Sequence, residues 1–274
     1  MATLTGITTH LSGSAGAWTF YRRLGTTVAK EKVESHRNKK LSEAQLDHLV
    51  RWSNPVAFWS VTQGCLRNGF SHKRQGQTDF NAFMSANLNR NEVYLTRNMV
   101  RLGASVAAPY QLTDGRLPTI GVVETGDGLL RSDIRLGEGF IITPDTTVRE
   151  ISHAVVDNNI GFKYGDRIFC LVALQYHVGT LGTPQVRVVT TTLSLDPYSH
   201  EPVLAIPWAA DFLSVVEGCL GASAPLTGGI AWIHTRTLRD RPLVSTQHLV
   251  LSGAPDAPYS TPTALAAAKA SYRR

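Results

Sequence analysis

The sequence predicts an α+β chain: an N-terminal β-hairpin plus three helices, then a mainly antiparallel β-sandwich-like domain with a C-terminal helix. Three observations point there. Aromatic and β-branched residues alternate on both sides of a Leu24-Gly25 turn. Apolar residues then recur at helical spacing behind cap residues, as far as Leu88. After that, short β-rich runs are separated by Gly, Pro, Asp and Thr, with no β-α alternation and no phosphate-binding glycine loop. The expected division is residues 1–105, a basic hairpin and helical module, and residues 106–274, a β-rich domain ending in a short helix.

Residues 18–33 read as the hairpin. Trp18, Phe20 and Arg22 alternate with Thr19, Tyr21 and Arg23, and Thr27-Val28 begins the return strand. Ser42 and Gln45 form a capping box ahead of the stripe Leu46, Leu49 and Val50. Asn54-Pro55 predicts a restart, asparagine as cap and proline at the first helical position. Phe58, Val61, Cys65 and Leu66 would share a face of that second helix, with Gly69 ending it. A third helix is expected from Thr78, with Phe80, Phe83, Met84 and Leu88 on one side. Strands are expected over residues 92–96, 105–109, 167–177, 185–195, 229–235 and 243–251. Thr147 and Glu150 make a second capping box before Val148, Ile151 and Val155. A short helix is expected near residues 210–220, and a last one behind Thr261 and Pro262.

The net charge of +6 is unevenly distributed: residues 1–105 hold 14 Lys/Arg against 6 Asp/Glu, and the remainder holds 13 against 15. A basic first part suggests an acidic partner, whether nucleic acid or a neighbouring subunit. The tentative contact residues are Trp18, Tyr21, Arg22, Arg23, Lys30, Lys32, Arg37, Lys39 and Lys40, the cations for phosphates and the aromatics for unpaired bases. A further basic stretch lies at residues 67–74, while Glu31 and Glu34 interrupt the first. Three distant cysteines, Cys65, Cys170 and Cys219, match no metal spacing and read as small buried hydrophobes. No signal peptide and no apolar run of membrane-spanning length is visible, so a cytoplasmic or virion-associated protein without membrane insertion is expected.

Motifs for hydrolase, nucleotide or metal chemistry do not occur, and no catalytic residue, metal or cofactor is expected. Asp133, Asp145, Asp157 and Asp166 lie about ten residues apart, unlike the ligands of a compact cation loop. They read as turn and cap residues. Ser199-His200-Glu201 cannot act as a triad, because adjacent side chains diverge. His153, His177 and His234 would matter only if the fold brought them together.

The stretches SGSAGAWTFYRRLGTTVAKEK, SEAQLDHLVRW, DFNAFMSANLN, YLTRNMVRLGASVAAPYQLTDGRLPTI, NNIGFKYGDRIFCLVALQ, GGIAWIHTR and VSTQHLVL follow one another along nearly the whole chain. In this order they resemble a family of Bacteroidota proteins of unknown function, common in gut Bacteroides and relatives. Those proteins carry an asparagine-proline-arginine-threonine-like run before the first helix. Here it is RNKKLSEAQ, without the proline. The resemblance implies a shared N-terminal module and a β-sandwich-like C-terminal part, and transfers no activity. The expected function is therefore a non-enzymatic structural or assembly protein, self-associating or part of a larger particle of phage or mobile-element origin. The alternative is a nucleic-acid-binding protein using the basic N-terminal region.

Overall fold

The computed structural model describes residues 2–4, 12–23, 26–32, 41–90, 92–239 and 241–273. Two compact units divide the chain, Met1–Leu41 and Ser42–Arg274.

The first unit is a four-stranded antiparallel sheet. Its strands are β1 (Ala2–Leu4), β2 (Gly13–Ala15), β3 (Trp18–Arg23) and β4 (Thr26–Glu31), in the order β1-β4-β3-β2. The expected hairpin is β3–β4, with Phe20 opposite Ala29 and Tyr21 opposite Val28. Its Leu24-Gly25 turn lies outside the described residues. The small residues ahead of the hairpin form edge strand β2, which turns back through Gly16-Ala17. Gly16 has a φ of +56°, the left-handed conformation that a two-residue hairpin turn asks of glycine.

The second unit opens with α1 (Glu43–Thr62), α2 (Asp79–Asn87) and α3 (Arg97–Arg101). Then come β5 (Gln111–Thr113), β6 (Val122–Glu124), β7 (Leu130–Arg135) and α4 (Val148–Asn158). The long strands β8 (Arg167–Val178) and β9 (Thr183–Ser194) lead to α5 (Ala209–Phe212), β10 (Ser214–Val216), β11 (Cys219–Gly221) and β12 (Gly228–Leu238). The chain closes with β13 (Arg241–Val244), β14 (Gln247–His248), β15 (Val250–Ser252) and α6 (Pro262–Tyr272). The central sheet runs β13-β12-β8-β9, with β15 also on β12; a second sheet runs β10-β11-β7-β6; β5 pairs with β14. These pairings are antiparallel, so the fold is mixed α+β with antiparallel sheets, as expected.

Alternation along β8 and β12 explains the layering. Leu171, Ala173, Ala231 and Ile233 point to one side and pack with Phe58 of α1, Phe83 of α2 and the segment 104–112. Ile168, Cys170, Val172, Ile230 and Trp232 point to the other. They meet Leu130 and Ile134 of β7, Leu220 of β11, and Ile151 and Val155 of α4. Two sheets thus face each other across one core, and helices cover the opposite face of the central sheet. The sequence boundary at 105/106 falls inside this unit, because α1 and α2 share a core with β8 and β12.

The capping boxes at Ser42/Gln45 and Thr147/Glu150 form as expected, and Thr78 and Thr261 cap α2 and α6. Other expectations need correction. Helix α1 runs straight through Asn54-Pro55 as one helix of 20 residues, because Asn54 spends its side chain on a distant segment rather than on a cap. With the helix ending at Thr62, Val61 and Cys65 are exposed, so Cys65 is not a buried hydrophobe. Residues 92–96 and 105–109 are extended without forming strands. Residues 210–220 hold only α5, followed by the β10–β11 hairpin, whose turn residues Glu217 and Gly218 have φ values of +49° and +74°. Residues 243–251 break into parts of β13, β14 and β15.

Among the described residues, the backbone of 105–109 bonds to strand backbone only at Ser105 N–H, which donates to Pro184 C=O, because side-chain amides take the backbone that follows. Asn54 Oδ1 accepts from Val106 N–H at 2.8 Å, and Asn54 Nδ2 donates to Val106 C=O at 2.9 Å and to Tyr110 Oη at 2.7 Å. Gln175 Oε1 accepts from Ala107 N–H at 2.9 Å. Asn87 closes a reciprocal pair with Gln111, at 2.8 and 2.9 Å. Each amide is buried, where an unmade hydrogen bond is costly. Asn54→Ala is expected to destabilise the chain by about 3 kcal/mol, from two orphaned Val106 groups and a small cavity. Urea unfolding checks it; a loss under about 1 kcal/mol would mean that water replaces the amide.

Candidate functional site

Alternation in the N-terminal sheet places each sequence-predicted contact residue on a face. Trp18, Phe20 and Arg22 share one face with Ala15, Thr27, Ala29 and Glu31, which lie opposite them on the neighbouring strands. Thr19 and Tyr21 share the other face with Ser14, Val28 and Lys30. The Ser14 and Thr19 hydroxyls lie 3.2 Å apart, confirming that register. The expected patch is therefore divided: Trp18 and Arg22 on one side, Tyr21 and Lys30 on the other. Arg23 ends β3 and Lys32 follows β4, its N–H bonded to Ala17 C=O. Arg37, Lys39 and Lys40 lie outside the described residues. In the stretch 67–74, Lys73 pairs with Asp79 at 2.7 Å, so one of its cations already has a carboxylate.

The edge of this sheet has its own chemistry. Gly13, Ser14 and Ala15 are all exposed, uncharged and small. Ala15 opposite Trp18 closes the two-residue turn, so those residues bond each other and Ser14 turns its N–H and C=O outward. Trp18, at the end of the neighbouring strand, is 49% exposed.

The three histidines do not converge; each has its own partners. His153 on α4 accepts or donates to Tyr164 Oη at 2.7 Å, beside a shallow depression of about 620 Å³ lined by Leu136, Phe140, Arg149, Glu150 and His200 among others. His177 meets Tyr259 Oη at 3.4 Å. His234 is completely buried on β12. Its Nε2 lies 2.8 Å from Asp166 Oδ2, and Phe162 stacks on the ring at 4.3 Å. Arg236, two residues on and on the same face, clamps both Asp166 oxygens at 2.6 Å. Asp166 also accepts from Lys163 N–H at 2.8 Å, the turn role expected of it.

An Asp–His pair beside an arginine could hold a proton for chemistry. Here the ring is completely buried and the carboxylate side chain is 2% exposed. The pair ties β12 to the turn before β8. Its signal in the sequence was His234 and Arg236 at spacing two on a strand; the Asp166 partner follows only from the β8–β12 register. Among the described residues, no group of three or more His, Cys, Asp and Glu could hold a metal ion, and no helix is long and apolar enough to cross a membrane.

Comparison of the chain with family models, curated proteins and solved structures finds no match. Its function is therefore argued from its own residues.

The buried pair dictates how stability follows pH. Burial pushes His234 below its ordinary pKa; the Asp166 contact opposes that shift and Arg236 adds to it. The unfolded chain therefore takes up this proton first, and stability falls as pH drops below about 6.5. Burial raises the Asp166 carboxyl, but Arg236, His234 and Lys163 N–H outweigh it and hold it below the ordinary value. Its contribution is present above about pH 3.8 and is lost as pH falls through the lower folded value. The melting temperature is expected to fall between pH 7 and 5, and His234→Gln to flatten that limb while leaving the loss below pH 4. An unchanged limb in the variant would show that other groups set it.

Proposed function

We propose that this chain is a non-enzymatic assembly subunit that associates with copies of itself through the outer edge of β2. The observation that supports this reading is that β2, three residues long, is an edge among the described residues and is exposed, small and neutral, without lysine, proline or bulge. Protein edges are ordinarily guarded by such devices, and an unguarded one is a template for another strand. Two copies related by a two-fold axis can pair β2 with β2 antiparallel, so the same patch serves on both sides. Neither strand brings a charge to the junction. Repeated contacts of this kind would build a larger particle, a virion among the candidates.

The nucleic-acid reading draws on exposed Arg22, Lys30 and Lys32. It is the weaker one. Arg22 and Lys30 lie on opposite faces, and Glu31 sits across from Trp18, whereas a phosphate path needs cations along one surface.

Sedimentation velocity of the full chain over a range of concentrations tests the assembly reading. Self-association is expected, and Ser14→Pro is expected to reduce the size of the species formed. That proline removes an outward N–H, which edge strands tolerate, together with the exposed Ser14 hydroxyl beside Thr19. A wild-type chain that stays monomeric at high concentration overturns the reading. The purified chain is further expected to show a protein-like absorbance ratio, unchanged by Arg22→Glu with Lys30→Glu. Co-purified nucleic acid that these substitutions release would favour the alternative.

A further inference from the structure

The central sheet also ends in a strand whose second half is unguarded. β9 lies at its margin, with β8 as its neighbour on the other side. The β8–β9 ladder runs through twelve consecutive pairs, Arg167 opposite Ser194 to Val178 opposite Thr183, without a register shift. No bulge therefore bends the edge away.

The direction of each backbone group follows from the ladder. Pro184 C=O accepts from Ser105 N–H at 2.9 Å, and Val186 N–H donates to Ser105 Oγ at 2.9 Å. Both partners lie on the outer side, so even-numbered residues of β9 face outward. Beyond Val186 this cover stops. Among the described residues, the outward N–H and C=O of Val188, Thr190 and Thr192 have no backbone or side-chain partner. The faces, by contrast, are filled. Val188 packs with the core under α1, and Val189 and Leu193 with the core under α4. A partner is therefore left the edge itself, over the run Val188-Val189-Thr190-Thr191-Thr192, which has no lysine and no proline.

We propose that this edge is a second self-association surface, in which β9 pairs antiparallel with β9 of another copy about a two-fold axis at Thr190. The proposal rests on the assembly reading for the identity of the partner, and uses a different surface. The sequence of the edge is self-complementary. With the axis at Thr190, Val188 lies opposite Thr192 of the partner subunit, and Thr190 opposite Thr190 of the partner subunit. Outward residues thus meet outward residues, the pairing that exchanges both hydrogen bonds, and three such pairs make six bonds. Arg187 falls opposite Leu193 of the partner subunit, so no like charges meet. β-branched cross-strand pairs are favourable neighbours on such a surface. Pairing would join two central sheets into one continuous sheet.

Sedimentation equilibrium of full-length variants tests this. Thr190→Lys sets two lysines against each other at the axis and is expected to weaken one association step by about tenfold or more. Thr190→Val keeps the shape and is expected to leave that step unchanged. Thr192→Pro removes one outward donor without touching the β8 ladder, and covers the case in which the lysine variant does not fold. The wild-type chain is expected to exceed a dimer, since it would have two surfaces. Ser14→Pro and Thr190→Lys alone should each stop at a dimer, and together give a monomer. If Thr190→Lys and Thr192→Pro fold and leave every species unchanged while Ser14→Pro yields monomer, the β9 surface is refuted and the assembly reading stands. If Thr190→Lys alone yields monomer, the β9 surface stands and the β2 edge is refuted. A wild-type monomer overturns both.

Discussion

Val106 has its N–H and its C=O held by a single side chain, the carboxamide of Asn54, which also donates to the Tyr110 hydroxyl. Much of the second unit depends on this contact. The central sheet is apolar on both faces, so it needs cover on both. The second sheet and α4 supply one cover. On the other side, α1 and α2 reach the sheet together with the extended segment 104–112. That segment brings polar backbone into an apolar layer. Carboxamides at Asn54, Asn87 and Gln175 satisfy it, each presenting a donor and an acceptor as a strand neighbour would. Backbone groups of the layer thus find partners without a further strand.

This arrangement also marks the limit of what the sequence could show. Elements declared by local chemistry were legible. The capping boxes at Ser42 and Thr147, the proline behind Thr261 and the strands over 167–177 and 229–235 all formed as read. Residues 105–109 show a strand-like pattern because they are extended and buried; nothing local says that their partners are amides. For the same reason Asn54-Pro55 reads as a helix start, while the asparagine serves a segment far along the chain. The β10–β11 hairpin was hidden by its length, since strands of three residues are too short to show a period.

The candidate surfaces were legible to different degrees. The hairpin at residues 18–31 and its small-residue flank could be read, but not that the flank forms an edge strand, nor that Arg22 and Lys30 would part to opposite faces. Charge counting reports how much basic character a stretch holds; strand alternation decides where it points. The β9 edge was hidden in another way. Strand order is a property of the whole sheet, and no local pattern tells a marginal strand from a central one. The Asp166–His234 pair needed the same knowledge, here the register between β8 and β12.

The carboxamide contacts also order events in time. Asn54 meets Val106 across 52 residues, and Gln175 meets Ala107 across 68. Loops of that length must close before either amide finds its backbone partner, so the loss of chain entropy comes first and the hydrogen bonds come later. Until then the segment's peptide groups remain in water, and the β8–β12 ladder, whose partners lie 54 to 68 residues apart, has loops as long to close. The layer that completes the core therefore forms only once such distant parts of the chain have met. Until these contacts are made the apolar runs of β8 and β12 lack their cover, which is when crowded copies are most exposed to mispairing.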